Sequence, residues 1–178
     1  MDHRHEIPGI TIRRASLGDA SGFPAIENSA GDLFRQIPEL AYLADGEDLP
    51  ADWYRDLVGH DASFVAATPE WPVAFLCAEA EGGVLHIWEL GVSRRWQGRG
   101  IGRALMSAAI EAARRRGLAA ATLTTFRDVP WNAPFYKRLG FEILPETALD
   151  DRLAAALRQD AERGLPLCLR CVMRLSLA

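Results

Sequence analysis

The sequence contains no long apolar run and no excess of positive charge, and each absence excludes a class of protein. No stretch reaches the 18 consecutive apolar residues that a transmembrane helix needs. Acidic residues outnumber basic ones by 24 to 20, so the net charge of -4 gives no reason to expect a general nucleic-acid or membrane-surface binder. We therefore expect a small molecule as the partner, and neither nucleic acid nor a membrane.

Cysteine is also scarce, and the chain has only three. The segment MDHRHEIPGI is charged and lacks the apolar part of a secretory signal peptide, and an odd cysteine count in such a chain argues against structural disulfides. Cys168 and Cys171 have the spacing of a redox or zinc pair. Residues three apart in a strand point to opposite faces, however, and no second Cys/His pair is present. We expect a cytoplasmic protein without a metal, in which these are plain core and surface cysteines.

The remaining composition is that of an ordinary globular chain, and 178 residues predict a single domain over 1–178. A predicted helix that joins two strands makes those strands parallel or near neighbours in one sheet, which indicates a mixed α/β sheet. Strands are predicted at 10–15, 62–68, 72–80, 84–92, 120–126, from 141 onward and at 167–177. Helices are predicted twice between 17 and 59, at about 100–116, at 130–140 and at about 149–163.

A glycine-rich stretch, QGRGIGR at 97–103, lies where a strand is followed by the third of these helices. Free amides and the positive dipole end at a helix N-terminus favour an anion, and glycines let a diphosphate approach the backbone. The spacing fits neither the P-loop nor the dinucleotide fingerprint. The alternative is a flexible, glycine-rich turn without a ligand.

The same residues resemble the acetyl-coenzyme A (acetyl-CoA) signature, Q/R-x-x-G-x-G/A, of the GNAT superfamily of N-acetyltransferases. ELGVSRRWQGRGIGRALM is similar to that family's fourth strand, pyrophosphate loop and third helix, and FYKRLGF at 135–141 is similar to a later helix-to-strand motif. The resemblance implies a GNAT-like acyl-CoA N-acyltransferase fold. This fold is a mixed, mostly antiparallel α/β sheet with a splayed parallel strand pair, here 84–92 and 120–126, and flanking helices.

Acetyl-CoA is the co-substrate that the resemblance implies, with its pantetheine arm between the splayed strands and its pyrophosphate on the loop amides. Arg99 and Arg103 would add positive charge there, or are simply exposed helix residues. The family often has asparagine seven residues before its tyrosine; here that position is Val129, and Asn132 is the candidate substitute. The implied cofactor-binding residues are Leu90, Gly91, Val92, Gln97, Gly98, Arg99, Gly100, Ile101, Gly102, Arg103, Asn132 and Tyr136.

Acetyl transfer to an amine needs a base, because deprotonating an amine with a pKa near 10.4 costs about 4.6 kcal/mol at neutral pH. Glu89 matches the family's catalytic glutamate, with His86 as the substitute and a solvated strand residue as the alternative. The amide of Leu90 would stabilise the oxygen of the attacked carbonyl. Tyr136, in the family's FY pair, would protonate the departing thiolate, unless it only packs as a core aromatic.

The sequence therefore predicts an acetyl-CoA-dependent N-acetyltransferase that acts on a primary amine by direct attack in a ternary complex, with a small-molecule acceptor. A protein lysine or N-terminus as acceptor and a non-catalytic acyl-CoA-binding module are the alternatives. A homodimer is among the options for the oligomeric state. Asp45, Glu47, Asp48 and Asp52 would attract a cationic acceptor, or are simply solvated.

Overall fold

The computed structural model describes residues 7–46 and 49–178, which form one seven-stranded sheet with flanking helices. The strand order is β1-β2-β3-β4-β5-β7-β6; β4 and β5 are parallel, whereas the β1–β2, β2–β3, β5–β7 and β6–β7 pairs are antiparallel. The strands are β1 (Thr11–Arg14), β2 (Phe64–Ala67), β3 (Pro72–Glu81), β4 (Val84–Val92), β5 (Ala120–Phe126), β6 (Glu142–Ile143) and β7 (Arg170–Ser176). The α-helices are α1 (Phe23–Gly31), α2 (Ala51–Gly59), α3 (Ile101–Arg115), α4 (Ala133–Lys137) and α5 (Asp151–Glu162). The predicted mixed, mostly antiparallel fold is confirmed.

Within this sheet the chain divides into two compact units, and the division passes through β4 and α3. The first unit contains the described residues up to Ala80 together with Trp88–Ala112. The second contains Glu81–Ile87 and Ala113–Ala178. The expectation of a single domain stays a prediction.

An aromatic cluster forms the core of the first unit. Phe23 of α1 stacks on Phe75 of β3 with ring centroids 4.3 Å apart, and Tyr54 of α2 meets both rings edge-on. All three side chains are fully buried. Aromatic side chains bury large apolar areas, and edge-to-face pairs add to that burial. This cluster therefore fixes α1 and α2 against the sheet.

In the second unit, β5 is the central strand. It pairs in parallel with the first four residues of β4, from Val84↔Ala120 to Ile87↔Leu123, and antiparallel with β7 along its whole length. Helix α5 begins at its N-cap Asp150, whose carboxylate accepts the Leu153 amide at 2.8 Å. Such a cap satisfies an amide that the first helical turn leaves without a carbonyl.

The predicted β3–β4 turn and the predicted end of α3 are both confirmed. Gly82 and Gly83 join β3 to β4 with φ of +56° and +77°, a conformation that glycine adopts without steric cost. Gly117 follows α3 with φ of +69°, as predicted for a helix stop.

Two predicted boundaries were wrong. Residues 167–169 form an exposed 3-10 turn, closed by the Leu169 amide on the Pro166 carbonyl, so the last strand begins only at Arg170. Helix α4 begins at Ala133, with Pro134 rather than Pro130 in its first turn. The Asn132 carbonyl accepts the amides of Phe135 and Tyr136, which starts the helix there.

Candidate active site

The glycine-rich loop has a backbone that only glycine adopts readily. Gly98 and Gly100 have φ of +74° and +81°, and a Cβ at either position would meet no atom within 4 Å. The left-handed conformation, rather than crowding inside the chain, therefore requires glycine. Both residues are exposed, so the loop offers its main chain to a ligand.

Helix α3 begins directly after this loop. The Ala104 amide donates to the Gly100 carbonyl at 3.0 Å, which makes Gly100 the residue before the first turn and places the amides of 101–103 in that turn. Amides of a first turn have no carbonyl within the helix to bond, and the helix dipole is positive there. Ile101 is fully buried and anchors the turn. The arrangement fits an anion such as a pyrophosphate.

The other predicted glycines serve different purposes. Gly102 lies inside α3, so its backbone is helical, and the residue is half-buried. Gly91 is buried in β4, where a Cβ would lie 2.7 Å from Cε1 of Phe75. Packing on Phe75 is therefore enough to explain glycine at 91. Its neighbours Leu90 and Val92 are half-buried on the same strand, with their backbones as the predicted ligand groups.

The junction between β4 and the loop is held by hydrogen bonds that the sequence did not reveal. The Ser93 amide donates to the Val73 carbonyl at 3.0 Å, and the Arg94 amide donates to Oγ of Ser29, on α1, at 3.0 Å. The hydroxyls of Ser29 and Ser93 lie 3.3 Å apart. Gln97, a predicted signature residue, donates from Nε2 to the Val92 carbonyl at 2.9 Å. The side chain of Gln97 thus ties the loop to the end of β4.

The two candidate arginines differ. The guanidinium of Arg99 lies 4.8 Å from the centroid of the Trp96 ring, a cation–π contact that holds it beside the loop. Arg103 is exposed on the first turn of α3. Arg94 donates to Oε1 of Gln97 at 3.0 Å. Positive charge therefore surrounds the loop, as an anion site needs.

Glu89 is half-buried on β4, in the first unit, near the aromatic cluster. Burial raises the pKa of the Tyr54 hydroxyl, and the charges of Glu89 and Glu27 raise it further. Burial likewise raises the pKa of the Cys77 thiol, with the same two carboxylates contributing. The Tyr54 hydroxyl donates to Oε2 of Glu27, which also accepts the Leu49 amide at 3.4 Å. The charges of Glu89 and Glu27 therefore both reach Tyr54 and Cys77.

Glu27 and Tyr54 were missed by sequence reasoning. Each lies in a helix of the weakly patterned N-terminal third, more than 30 residues from Glu89 in the chain. Spacing along the sequence carries no signal for such a contact.

His86, the substitute base, is buried at 4% exposure in the second unit. Burial and then the charge of Arg152 lower the pKa of its imidazole to about 3. Its Nδ1 lies 3.0 Å from the hydroxyl of Thr122. A histidine that holds protons so weakly is a poor base near neutral pH, which weakens the case for His86 as the substitute base.

Tyr136 and Asn132 lie at α4 in the second unit. Tyr136 is half-buried, and its ring meets those of Phe135 and Phe141 edge-on at 5.1 and 5.9 Å between centroids. Asn132 is the N-cap of α4 but makes no side-chain cap hydrogen bond. Val129, at the family's usual asparagine position, is buried.

The predicted acidic cluster is engaged in ion pairs where the structure describes it. Asp45 pairs with Arg35 at 2.7 Å and Asp52 pairs with Arg55 at 2.6 Å. Glu47 and Asp48 lie outside the described residues. These pairs weaken the case for Asp45 and Asp52 as cation attractors.

Neither a metal centre nor a membrane-spanning helix is present among residues 7–46 and 49–178. No group of three or more His, Cys, Asp or Glu side chains there could hold a metal ion. No α-helix in the same residues has the length and apolar character to cross a membrane. Cys168 is exposed and Cys171 is buried, and both are free thiols.

Comparison with known proteins links this geometry to a family. The sequence model of the acetyltransferase (GNAT) family matches residues 28–141. The fold is similar to the ribosomal-protein-S18-alanine N-acetyltransferase from Escherichia coli (TM-score 0.68, 16% identity, 95% of this chain and 94% of that one). It is also similar to Ard1 from Thermoplasma volcanium (0.66, 19%, 96% and 99%) and to the PaiA N-acetyltransferase from Thermoplasma acidophilum in complex with coenzyme A (0.63, 14%, 94% and 98%). The matched segment contains β4, the glycine-rich loop, α3 and α4, and the chain belongs to the GNAT family of acetyltransferases.

Proposed function

We propose that this protein transfers an acetyl group from acetyl-CoA to a primary amine, with a small-molecule acceptor. The observation that carries the proposal is the exposed loop of Gly98 and Gly100 leading into the first turn of α3, in a chain of the acetyltransferase family. A fold relative solved with coenzyme A supports an acyl-CoA donor.

The cofactor-binding part is the stretch from Gln97 to Arg103. Its main-chain amides hold the pyrophosphate, and Arg99, set by Trp96, adds charge. The backbone of Leu90 to Val92 pairs with the pantetheine arm, and Asn132 contacts the cofactor from its own position at α4.

Three groups carry the chemistry. Glu89 removes a proton from the ammonium of the acceptor, so that the neutral nitrogen forms a bond to the acetyl carbon as the carbon–sulfur bond breaks. The amide of Leu90 donates to the carbonyl oxygen while negative charge builds on it. Tyr136 gives its phenolic proton to the departing thiolate, since a phenol is protonated at neutral pH, and the second proton that the acylated nitrogen loses restores the phenol, directly or through solvent.

An amine acceptor fits the electrostatics around Glu89. Glu27 and Glu89 both act on Tyr54 and Cys77, so two carboxylates serve one region of the first unit. Negative charge attracts an ammonium group and favours its approach to the base.

The test is a panel of amines with acetyl-CoA, read by release of free thiol. The panel contains simple alkylamines, a lysine peptide and peptides with a free N-terminus, and we expect the highest rates with a small amine. Preference for a peptide would move the acceptor to proteins. Binding of coenzyme A without thiol release from any amine would favour the non-catalytic module.

Replacement of Gly100 by valine tests the cofactor loop. A β-branched residue resists φ of +81°, so we expect the loop to rearrange and calorimetry with coenzyme A to show severely weakened binding. Gly59→Val is the control, because Gly59 ends α2 and a Cβ there would also meet nothing within 4 Å. Unchanged affinity in Gly100→Val would remove the loop assignment.

A further inference from the structure

Helix α1 connects two parts of the first unit that the proposed function uses separately. Ser29 contacts the junction between β4 and the glycine-rich loop, and Glu27 contacts α2 and the segment before it. Residues two apart on an α-helix point in directions about 200° apart, so the two side chains leave α1 on nearly opposite sides. One short helix therefore holds both structures.

The contact of Ser29 lies at the point where β4 becomes the loop. Its hydroxyl accepts the Arg94 amide at 3.0 Å and lies 3.3 Å from the Ser93 hydroxyl, while the amide of Ser93 is bonded to Val73. The Trp96 amide returns to the Ser93 carbonyl at 2.8 Å. The direction in which the chain leaves Ser93 thus depends on both β3 and α1, and this direction orients the amides of the loop.

The contact of Glu27 lies in the region on which the charge of Glu89, the proposed base, acts. Oε2 of Glu27 accepts the Tyr54 hydroxyl and the Leu49 amide, which ties α1 to α2 and to Leu49, two residues before it. Tyr54 is fully buried and feels the charge of Glu89. A displacement of α1 is therefore transmitted to the groups beside Glu89.

We infer that Ser29 is a positioning residue for the cofactor loop, and that α1 couples occupancy of this loop to the order of α2. The inference rests on the proposed function, because it needs the loop of Gln97 to Arg103 to bind coenzyme A. Binding of the cofactor fixes the Ser93–Arg94 junction, Ser29 transmits this restraint to α1, and Glu27 passes it to Tyr54 and Leu49.

The first experiment measures coenzyme A affinity by calorimetry in three variants of the full chain. Ser29→Ala removes the acceptor of the Arg94 amide, and we expect affinity to fall about 3- to 10-fold, the range of one hydrogen bond. Ser29→Thr keeps the hydroxyl and is expected to restore most of that loss. Asn28→Ala, at an exposed neighbour on α1, is the matched control and should bind as the parent does.

The second experiment follows amide hydrogen exchange with and without coenzyme A. In the parent we expect the ligand to slow exchange both at 97–105 and at 51–59 in α2. In Ser29→Ala at saturating coenzyme A, slowing should persist in the loop and be lost in α2. A merely structural role for Ser29 would change exchange equally with and without ligand.

The outcomes separate two failures. If the parent chain does not bind coenzyme A, the proposed function falls, and this inference falls with it. If the parent binds and Ser29→Ala binds equally well, or if α2 shows no response to ligand in the parent, only the coupling through α1 is overturned. A loss of affinity that Ser29→Thr does not restore would also contradict the assignment to the hydroxyl.

Discussion

In the second unit, the buried carboxylate of Asp160 forms an ion pair with the guanidinium of Arg170. In the first unit, the carboxylate of Glu27, in the region of Glu89, accepts hydrogen bonds from a hydroxyl and an amide instead. Asp160 of α5 lies 2.7 Å from Nη2 of Arg170, and both side chains are less than 10% exposed. Arg170 also donates to the hydroxyl of Thr124 and lies over the ring of Phe126. Glu27, by contrast, accepts from Tyr54 and from the Leu49 amide.

This difference distinguishes a carboxylate that stabilises the fold from a carboxylate that is available to a ligand. A buried ion pair with further hydrogen bonds satisfies each charge within the fold, and removal of one partner leaves the other uncompensated. A carboxylate held by neutral donors keeps its negative charge for a ligand. Hydroxyl and amide donors also fix its orientation. The comparison predicts that changes near Glu89 alter activity and that changes at Asp160 alter stability.

The largest effect is expected at Glu89. We expect Glu89→Gln to lower kcat about 10²- to 10⁴-fold, the range of general-base catalysis, with the greatest loss at pH values below the pKa of the acceptor. Affinity for coenzyme A, measured by calorimetry, and the thermal midpoint should stay near the parent values. Glu81→Gln, at the exposed end of β3, is the matched control. Parental rates for Glu89→Gln from about pH 6 to 9 would leave Glu89 with a structural role only.

Tyr136 tests whether the second unit also contributes chemistry. Tyr136→Phe keeps the ring packed on Phe135 and Phe141 and removes only the hydroxyl. We expect normal folding, nearly unchanged coenzyme A affinity and turnover about 10²-fold slower, the usual size of general-acid help. A fall in the thermal midpoint in step with the rate would show that the residue acts through packing. Full activity in a well-folded variant would mean that solvent protonates the thiolate.

Local signals in the sequence predicted most of the fold, and the missed features depend on contacts across the chain. Apolar spacing and Gly117 located α3, and Gly82–Gly83 located the β3–β4 turn, because such signals act within a few residues. The start of α4 was misplaced because two prolines offered helix starts four residues apart. Only the carbonyl of Asn132, bonded to Phe135 and Tyr136, selects Pro134.

The candidate site was likewise predictable only in part. Glycine spacing indicated the loop of Gly98 and Gly100, but its assignment to the pyrophosphate came from the family resemblance and stays a prediction. Ser29 holds the segment that leads into this loop, and Glu27 and Tyr54 lie in the region on which the charge of Glu89 acts. All three come from helices whose sequences show no motif. Their roles depend on tertiary contacts that a single sequence does not encode in its spacing.

A smaller effect, on stability, is expected from the ion pair of the second unit. Asp160→Asn removes the charge facing buried Arg170, and we expect the free energy of unfolding to fall by about 1–3 kcal/mol, as for hydrogen bonds to charged groups. Urea denaturation measures this loss. Asp45→Asn is the matched control, since Asp45 and Arg35 form an exposed pair and its loss should not change stability measurably. Equal effects of the two changes would contradict the structural role of the buried pair.

The effect that is smallest near neutral pH concerns the pH dependence of stability and comes from His86. Its pKa is about 3 in the folded chain and near the ordinary 6.5 when unfolded, so between these values the unfolded chain binds a proton that the folded chain does not. Stability therefore falls as pH is lowered from 6.5 towards 3, by up to about 1.4 kcal/mol per pH unit.

His86→Gln does not titrate and can still bond the Thr122 hydroxyl. Its unfolding free energy, measured by urea denaturation between about pH 4 and 6, should therefore show a shallower slope than that of the parent. His60→Gln, at an exposed histidine beside Asp56, is the matched control and should leave most of the slope in place. Parallel slopes for the parent and His86→Gln would mean that His86 gains a proton in the folded chain as readily as in the unfolded one.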